Sequence, residues 1–236
     1  RYGSLCRFRN FSGQVILWQR LTPMEMRSKR LTIVVPCLDE AEGIGAALAA
    51  LQPYRRAGHQ VIVVDGGSRD GTAELARPHA DRIIGSARGR ALQMNAGATL
   101  AEGEILLFLH ADTRLPPEAD RLILDGLARC GRCWGRFDVR LSGTRPALRV
   151  VGGLMNLRSR LTGIATGDQA IFVTRKTFEV VGRYREIPLM EDIALSARLK
   201  RVGRPLCLRA QVVTSSRRWE REGIWRTILF MWRLRI

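Results

Sequence analysis

Residues 61–72 read Val61-Ile62-Val63-Val64-Asp65-Gly66-Gly67-Ser68-Arg69-Asp70-Gly71-Thr72, and the architecture unfolds from them. Four β-branched residues in a row predict a strand buried on both faces, as in a parallel sheet. The Asp-Gly-Gly-Ser that closes the run supplies a turn, and Asp70 or Thr72 can cap a helix reaching about His79. Toward the N-terminus, Leu31-Thr32-Ile33-Val34-Val35 is a second such run, closed by Pro36 and a polar Asp39-Glu40 turn. Ile44, Leu48 and Leu51 recur at i, i+4 and i+7, so a helix joins the two strands. Toward the C-terminus come a short strand, Arg82-Ile83-Ile84, and a helix from Arg90 to Leu100. A fourth strand, Ile105-Leu106-Leu107-Phe108-Leu109, ends at His110-Ala111-Asp112. Pro116 and Pro117 open a further helix with Leu122, Ile123 and Leu127 on one face.

Strand and helix alternating four times predict an α/β fold with a mostly parallel, Rossmann-like sheet and helices on both faces. Acidic residues collect at the C-terminal strand ends: Asp39 and Glu40, Asp65, then Asp112. Open α/β sheets bind ligands at that edge. The second half changes character. Phe137, Val139 and Leu141 alternate with Arg136, Asp138 and Arg140, which predicts a half-exposed strand of the antiparallel kind. A helix carrying Leu148, Val151, Met155 and Leu161 follows, then Gly167-Asp168-Gln169 and a strand from Ala170 to Val173. Glu191-Asp192 opens a helix with Leu195, Leu199 and Val202 at helical spacing, closed by Gly203. Leu206, Leu208, Ala210 and Val212 alternate as the last strand. One domain is expected over 31–220, with 1–30 as an N-terminal extension that contributes little and 221–236 as an amphipathic helix.

The chain has 236 residues, 46% of them apolar and 26% charged, which excludes a disordered or fibrous protein. Against 22 acidic residues stand 39 basic ones, a formal charge of +17. Lys29, Lys176 and Lys200 are the only lysines, so arginine dominates the basic residues. The surplus predicts attraction to polyanions: nucleic acid, anionic lipid or phosphorylated small molecules. Cys130 and Cys133 form a C-x-x-C that no second pair or nearby histidine completes, so a structural role is expected. No apolar run reaches membrane-span length, and Val15-Ile16-Leu17-Trp18 is too short for a signal-peptide core. A cytoplasmic location is expected. From Ile224 to Ile236, Arg226 and Arg233 share one stripe and Trp225 and Trp232 another. That pattern suits a membrane interface as well as burial against the domain, and with the charge it suggests the inner face of a membrane.

Val34-Val35-Pro36-Cys37-Leu38-Asp39-Glu40, the Asp65 turn and Leu109-His110-Ala111-Asp112-Thr113 occur in an order that resembles family 2 glycosyltransferases of GT-A fold. Gly89-Arg90-Ala91-Leu92-Gln93-Met94-Asn95-Ala96-Gly97, Gly167-Asp168-Gln169 and Glu191-Asp192 resemble a bacterial subgroup, the radical-SAM/selenodomain-associated transferases. The resemblance covers about residues 31–220. It implies inverting transfer of a sugar from a nucleotide-diphospho-sugar donor to an acceptor hydroxyl, on a molecule that is lipid-linked if the chain works at a membrane. It places Asp65 on the nucleobase and Asp39 and Glu40 in the nucleotide pocket. Arg88 and Arg90, beside Gly89 at a helix start, are suitably charged to face a diphosphate. Where the family has Asp-x-Asp, this chain has His110-Ala111-Asp112. Asp112 is then the expected ligand of Mn²⁺ or Mg²⁺, while His110 either coordinates the ion or closes the strand. The resemblance makes Asp192 the general base, with Glu191 beside it, and puts Asp168 and Gln169 on the acceptor side.

Each assignment has a bland counterpart: a turn aspartate at 65 or 168, a solvated loop at 39–40, a dipole-complementing pair at 191–192. Ser215-Ser216-Arg217-Arg218-Trp219 lacks the glutamine of a processive synthase, so polymer synthesis is not inferred. Three readings compete. A catalytically inactive nucleotide-sugar binder would explain His110. A nucleotidyltransferase would use Asp112 without an acceptor-side base. A basic nucleic-acid-binding α/β protein would explain the charge, but acidic strand ends repel a phosphate backbone, so no nucleic acid is expected.

Overall fold

The computed structural model describes residues 5–9, 15–19, 25–26 and 28–217. Strands β1 (Leu5–Arg9) and β2 (Val15–Gln19) pair antiparallel as a small sheet of their own. The other strands are β3 (Leu31–Cys37), β4 (Gln60–Asp65), β5 (Arg82–Gly85), β6 (Ile105–Phe108), β7 (Thr113–Arg114), β8 (Trp134–Leu141), β9 (Phe172–Thr174) and β10 (Leu206–Thr214). They form one mixed sheet in the order β5-β4-β3-β6-β9-β8-β10-β7. From β5 to β6 all pairs are parallel; β9 runs antiparallel between β6 and β8.

The helices are α1 (Ala41–Ala49), α2 (Gln52–Arg56), α3 (Thr72–Ala76), α4 (Arg90–Thr99), α5 (Ala119–Cys130), α6 (Pro146–Thr162), α7 (Arg175–Val180) and α8 (Glu191–Val202). They cover both faces, as the alternation of β3 shows. Leu31, Ile33 and Val35 share a core with Ile44 and Leu48 of α1 and with Ile123 and Leu127 of α5. Val34 points the other way, into a core with Met94 and Ala98 of α4 and Leu195 and Leu199 of α8. Full burial of each such side chain contributes about 1.5–3 kcal/mol. A Cβ on Gly97 would lie 2.5 Å from Val34 Cγ1, so α4 packs against the sheet at a distance that only glycine permits.

This topology creates the site. The chain leaves β3 for β4 and β5 on one side, then returns to β6 on the other. A crevice opens where neighbouring connections diverge, at the C-terminal ends of β3 and β6. Among the described residues no helix is long and apolar enough to cross a membrane.

Three features differ from expectation. Met26 is buried in the core, so the packed domain begins ahead of residue 31. The helix expected to reach His79 ends at Ala76 and continues as a 3₁₀ turn, Arg77–His79. Strand β8 is not half-exposed: Arg136 is fully buried, Asp138 nearly so, and only Arg140 is exposed. Helix α6 covers the face that the alternation assigned to solvent. Arg136 Nη1 donates to Asp138, and Arg160 Nη2 donates to the other Asp138 oxygen at 2.6 Å. Asn156 donates to Val139 O at 2.9 Å and accepts from its N–H at 2.8 Å. A paired buried charge can mimic a solvent-facing residue in sequence. The C-terminal helix expected over 221–236, and Trp219, lie outside the described residues.

Candidate active site

The crevice holds a cleft of about 290 Å³, lined from β3 by Pro36, Cys37, Leu38 and Glu40. The α4 start adds Arg88, Gly89, Arg90 and Gln93, and the β6 end adds His110, Ala111 and Asp112. Gly89 caps α4 at φ 147°, a conformation that L side chains rarely adopt, and so turns both neighbouring arginines to the cleft beside the positive end of a ten-residue helix. Buried Gln93 ties the floor together, its amide donating to Cys37 O at 2.8 Å and Val64 O at 2.9 Å.

Glu40 reaches the cleft because its turn is fixed by a neighbouring loop. Asp39 N donates to Ser68 Oγ at 2.9 Å, Glu40 N to Thr72 Oγ1 at 2.8 Å and Ala41 N to Asp70 Oδ2 at 2.9 Å. Asp39 itself is exposed, at φ 51°, and accepts from Arg69 N at 3.0 Å. Asp65 accepts from Ser68 N at 3.0 Å, Gly67 N at 3.2 Å and the Ser68 hydroxyl. The Asp65 carboxylate stands 3.8 Å from the thiol of Cys37 on the cleft wall, and Asp39 carries the turn that brings Glu40 there. Burial, then the adjacent Asp65 carboxylate, pushes the Cys37 thiol up to about 12, so it is an inert wall.

Charge in the cleft is mixed. Burial raises the Glu40 carboxyl, the facing Asp112 raises it further, and Arg217 and Arg90 oppose both. Arg217 Nη2 stands 3.8 Å from Glu40 Oε2. Nothing local in the sequence singles out Arg217 as a partner of Glu40.

His110 joins this cleft to a second cluster. Its Nδ1 lies 3.3 Å from Asp168 Oδ1, and its Nε2 is buried with no hydrogen-bond partner. A Cβ on Gly167 would fall 2.5 Å from that Nε2, so only glycine lets the 3₁₀ turn Gly167–Gln169 close on the imidazole. Gly167 N then donates to Asp192 Oδ2 at 2.6 Å, and Ile193 N to Asp192 Oδ1 at 2.7 Å. Burial raises the Asp192 carboxyl above its ordinary range; these two N–H donors oppose the shift, Asp168 adds to it and His110 reduces it. Glu191, buried at the start of α8, is raised first by burial and then by Asp192. Gln169, expected on the acceptor side, faces inward and is fully buried. It closes a capping box with Thr166 and donates to Asn156 Oδ1 at 3.3 Å, which holds the turn on α6.

A larger depression of about 660 Å³ lies at the opposite strand ends, around His59 and Asp120. There His59 Nδ1 accepts from Leu31 N at 3.3 Å and Nε2 donates to Asp120 at 3.1 Å. Both ring nitrogens serve the fold.

Asp112 on the cleft wall is a donor suited to a hard divalent cation, and the His110 imidazole lines the cleft beside it, its Nε2 covered by the Gly167 turn. Among the described residues no three acidic, imidazole or thiol groups cluster as a metal cage. A cation carried on diphosphate oxygens needs only one or two such protein ligands, and the Glu40–Asp112 pair is electrostatically relieved by one, so the residues fit.

The family described as Glycosyl transferase family 2 matches residues 32–178. A PGL/p-HBAD biosynthesis glycosyltransferase of Mycobacterium bovis (strain BCG / Pasteur 1173P2) is 31% identical over 174 residues, 67% of this chain and 64% of that protein. An uncharacterized glycosyltransferase of Mycobacterium tuberculosis (strain ATCC 25618 / H37Rv) is 35% identical over 88 residues, 37% of this chain and 38% of the relative's length. In fold, the chain is similar to the mannosyltransferase PcManGT of Pyrobaculum calidifontis in complex with GDP-Man and Mn²⁺ (TM-score 0.59, 21% identity, 81% of this chain and 58% of that one). It is also similar to glucosyl-3-phosphoglycerate synthase of Mycobacterium tuberculosis in complex with Mn²⁺, UDP and glucosyl-3-phosphoglycerate (TM-score 0.58, 17% identity, 84% and 77%). The chain spans well under half the length of the uncharacterized mycobacterial relatives, and with a GT-A fold and a crevice at the β3–β6 switch point it belongs to glycosyl transferase family 2.

Proposed function

We propose that the protein is an inverting glycosyltransferase, moving a sugar from a nucleotide-diphospho-sugar to an acceptor hydroxyl. One observation carries the reading: the β6 end delivers Asp112 to the arginine-lined cleft and, two residues earlier, His110 to the Asp168–Gly167–Asp192 cluster. Donor and acceptor sites are thereby adjacent. In this reading the diphosphate lies against Arg88, Arg90 and the start of α4. Asp39 and Glu40 border the nucleotide from the β3 turn, and Asp65, beside Cys37, meets the nucleobase. Asp112, with His110, would hold Mn²⁺ or Mg²⁺, which when bound neutralises the charge developing on the departing diphosphate.

Asp192 accepts the proton of the acceptor hydroxyl. Its raised carboxyl is a stronger base than an exposed aspartate, and the two backbone N–H groups keep it oriented. Glu191 keeps negative charge beside it, and Asp168 borders the acceptor. The Gly89–Gly97 segment, Gly167-Asp168-Gln169 and Glu191-Asp192 support membership of the radical-SAM/selenodomain-associated subgroup. The arginine excess supports a lipid-linked acceptor met at the cytoplasmic face of a membrane.

The test is a thermal-shift screen of nucleoside diphosphates and nucleotide sugars with and without Mn²⁺. A ligand that binds only the folded chain raises Tm by mass action. A metal-enhanced shift with at least one nucleotide is expected. No shift with any of them at millimolar concentration would refute the reading.

A further inference from the structure

Helix α6 is apolar on two opposite faces. Leu148, Val151 and Met155 pack inward. Val150, Leu154, Leu157 and Leu161 point outward and are 62%, 58%, 52% and 77% exposed. At about 100° per residue these four fall within about 60° of arc, directly opposite the buried side. Of the seven large hydrophobic side chains exposed among the described residues, four lie on this one stripe, so it is a patch rather than scatter. Its flanks are basic. From Val139 to Gly167 the chain carries five arginines and no acidic residue. Arg145 and Arg149 are exposed at the start of the helix, whereas Arg160 near its end is turned onto Asp138.

We propose that this face of α6 docks on an anionic lipid bilayer, the leucines entering the headgroup boundary and the arginines meeting lipid phosphates. An outward apolar stripe with exposed arginines at one end is the pattern of an interfacial helix, and the formal +17 of the chain adds long-range attraction. A protein partner for the same stripe would have to supply acidic groups beside an apolar ridge; an anionic bilayer presents both by construction. The docked face has a consequence for the acceptor, which rests on the function proposed above. The helix runs through Gly163 directly into the Gly167–Gln169 turn, so docking brings the acceptor side of the site, and the Asp192 carboxylate it holds, close to the lipid surface.

The experiment is flotation of the full chain with vesicles of phosphatidylcholine alone and of phosphatidylcholine mixed with phosphatidylglycerol. The chain is expected to float with the mixed vesicles and to stay behind with the neutral ones. Leu154→Gln/Leu157→Gln/Leu161→Gln should lower the floated fraction by at least about tenfold. Arg145→Gln/Arg149→Gln should weaken flotation and reduce its salt dependence. Both variants should keep the wild-type Tm and its shift with nucleoside diphosphate, which shows that they fold. The proposal is overturned if the wild type ignores the mixed vesicles or floats equally well with neutral ones. It is also overturned if the triple variant floats as well as the wild type, which would move the contact to another segment such as 218–236. A wild-type dimer that the triple variant makes monomeric, without vesicle binding, would mean a second copy covers the stripe. Absence of any nucleotide-induced shift in the wild type would instead refute the glycosyltransferase reading and leave the docking result standing.

Discussion

Replacing Asp192 by asparagine separates a catalytic base from a carboxylate that only serves the fold. In the native site the two carboxylate oxygens accept one N–H each, from Gly167 at 2.6 Å and Ile193 at 2.7 Å. Asparagine has one acceptor oxygen, so its NH₂ must face the other backbone donor, at a cost of about 1–3 kcal/mol. Against this, the neutral amide removes a charge that burial disfavours. The net expectation is a loss of about 1 kcal/mol, a Tm fall of about 2–4 °C for a domain of this size. Donor binding should be nearly intact, because the cleft residues do not include Asp192. Turnover, followed as nucleoside diphosphate release from the donor that gives the largest thermal shift, should fall on the order of 10²–10⁴-fold. The pH dependence has a definite sign. With its folded carboxyl raised above 3.8, Asp192 contributes stability that is fully present below that value and is lost as pH rises through the folded value. The variant lacks this loss, so its stability deficit should shrink between acid and neutral pH in urea titrations. Near-normal turnover would remove Asp192 from the chemistry. A loss of donor binding as large as the loss of turnover would make its role structural.

Asp112→Ala should abolish the Mn²⁺-dependent part of the nucleotide thermal shift and keep the metal-independent part; full metal enhancement in the variant would exclude Asp112 as ligand. Gly167→Ala forces a methyl to 2.5 Å from His110 Nε2. It should cost about 1–3 kcal/mol by overpacking and lower turnover with it, whereas an unchanged Tm and rate would show that the turn has room to spare. Asp138→Ala leaves the fully buried Arg136 without its carboxylate and should destabilise by about 3–5 kcal/mol in urea unfolding. A loss under about 1 kcal/mol would mean that the buried charges were never strongly coupled.

The parallel half of the fold was legible because burial on both faces forces apolar runs, and Pro36, Asp65 and His110 mark where the runs stop. Convergence of Glu40, Arg88, Arg90, His110 and Asp112 on one cleft followed from the same logic, since strand ends of a parallel sheet share an edge. The second half was less legible: β8, expected to be antiparallel, lies parallel to β10 and antiparallel only to β9. The Arg-Phe-Asp-Val-Arg alternation of β8 reads as a solvent-facing strand, and nothing local reveals that Arg160, 22 residues beyond Asp138, arrives to share its charge. Asp39, Asp65 and Gln169 also hold the loops of the site, bonded to Arg69, Ser68, Thr166 and Asn156, and these contacts are not legible in sequence. Arg217 and Gly167 were the reverse case, unassigned or read only as a motif glycine, and found at Glu40 and at His110.

Residue type and spacing therefore settled the class of fold, its ligand edge and the inventory of charged groups there, because these depend on periodicity and on strand direction alone. Which of those groups face the cleft was settled by packing between segments far apart in the chain. Asp192 meets Gly167 across 25 residues and Glu40 meets Arg217 across 177, and the left-handed turns at Asp39 and Met190 aim their neighbours only once those partners are in place. A carboxylate's role is fixed by which donors reach it first, and that is a property of tertiary contacts rather than of neighbours in sequence.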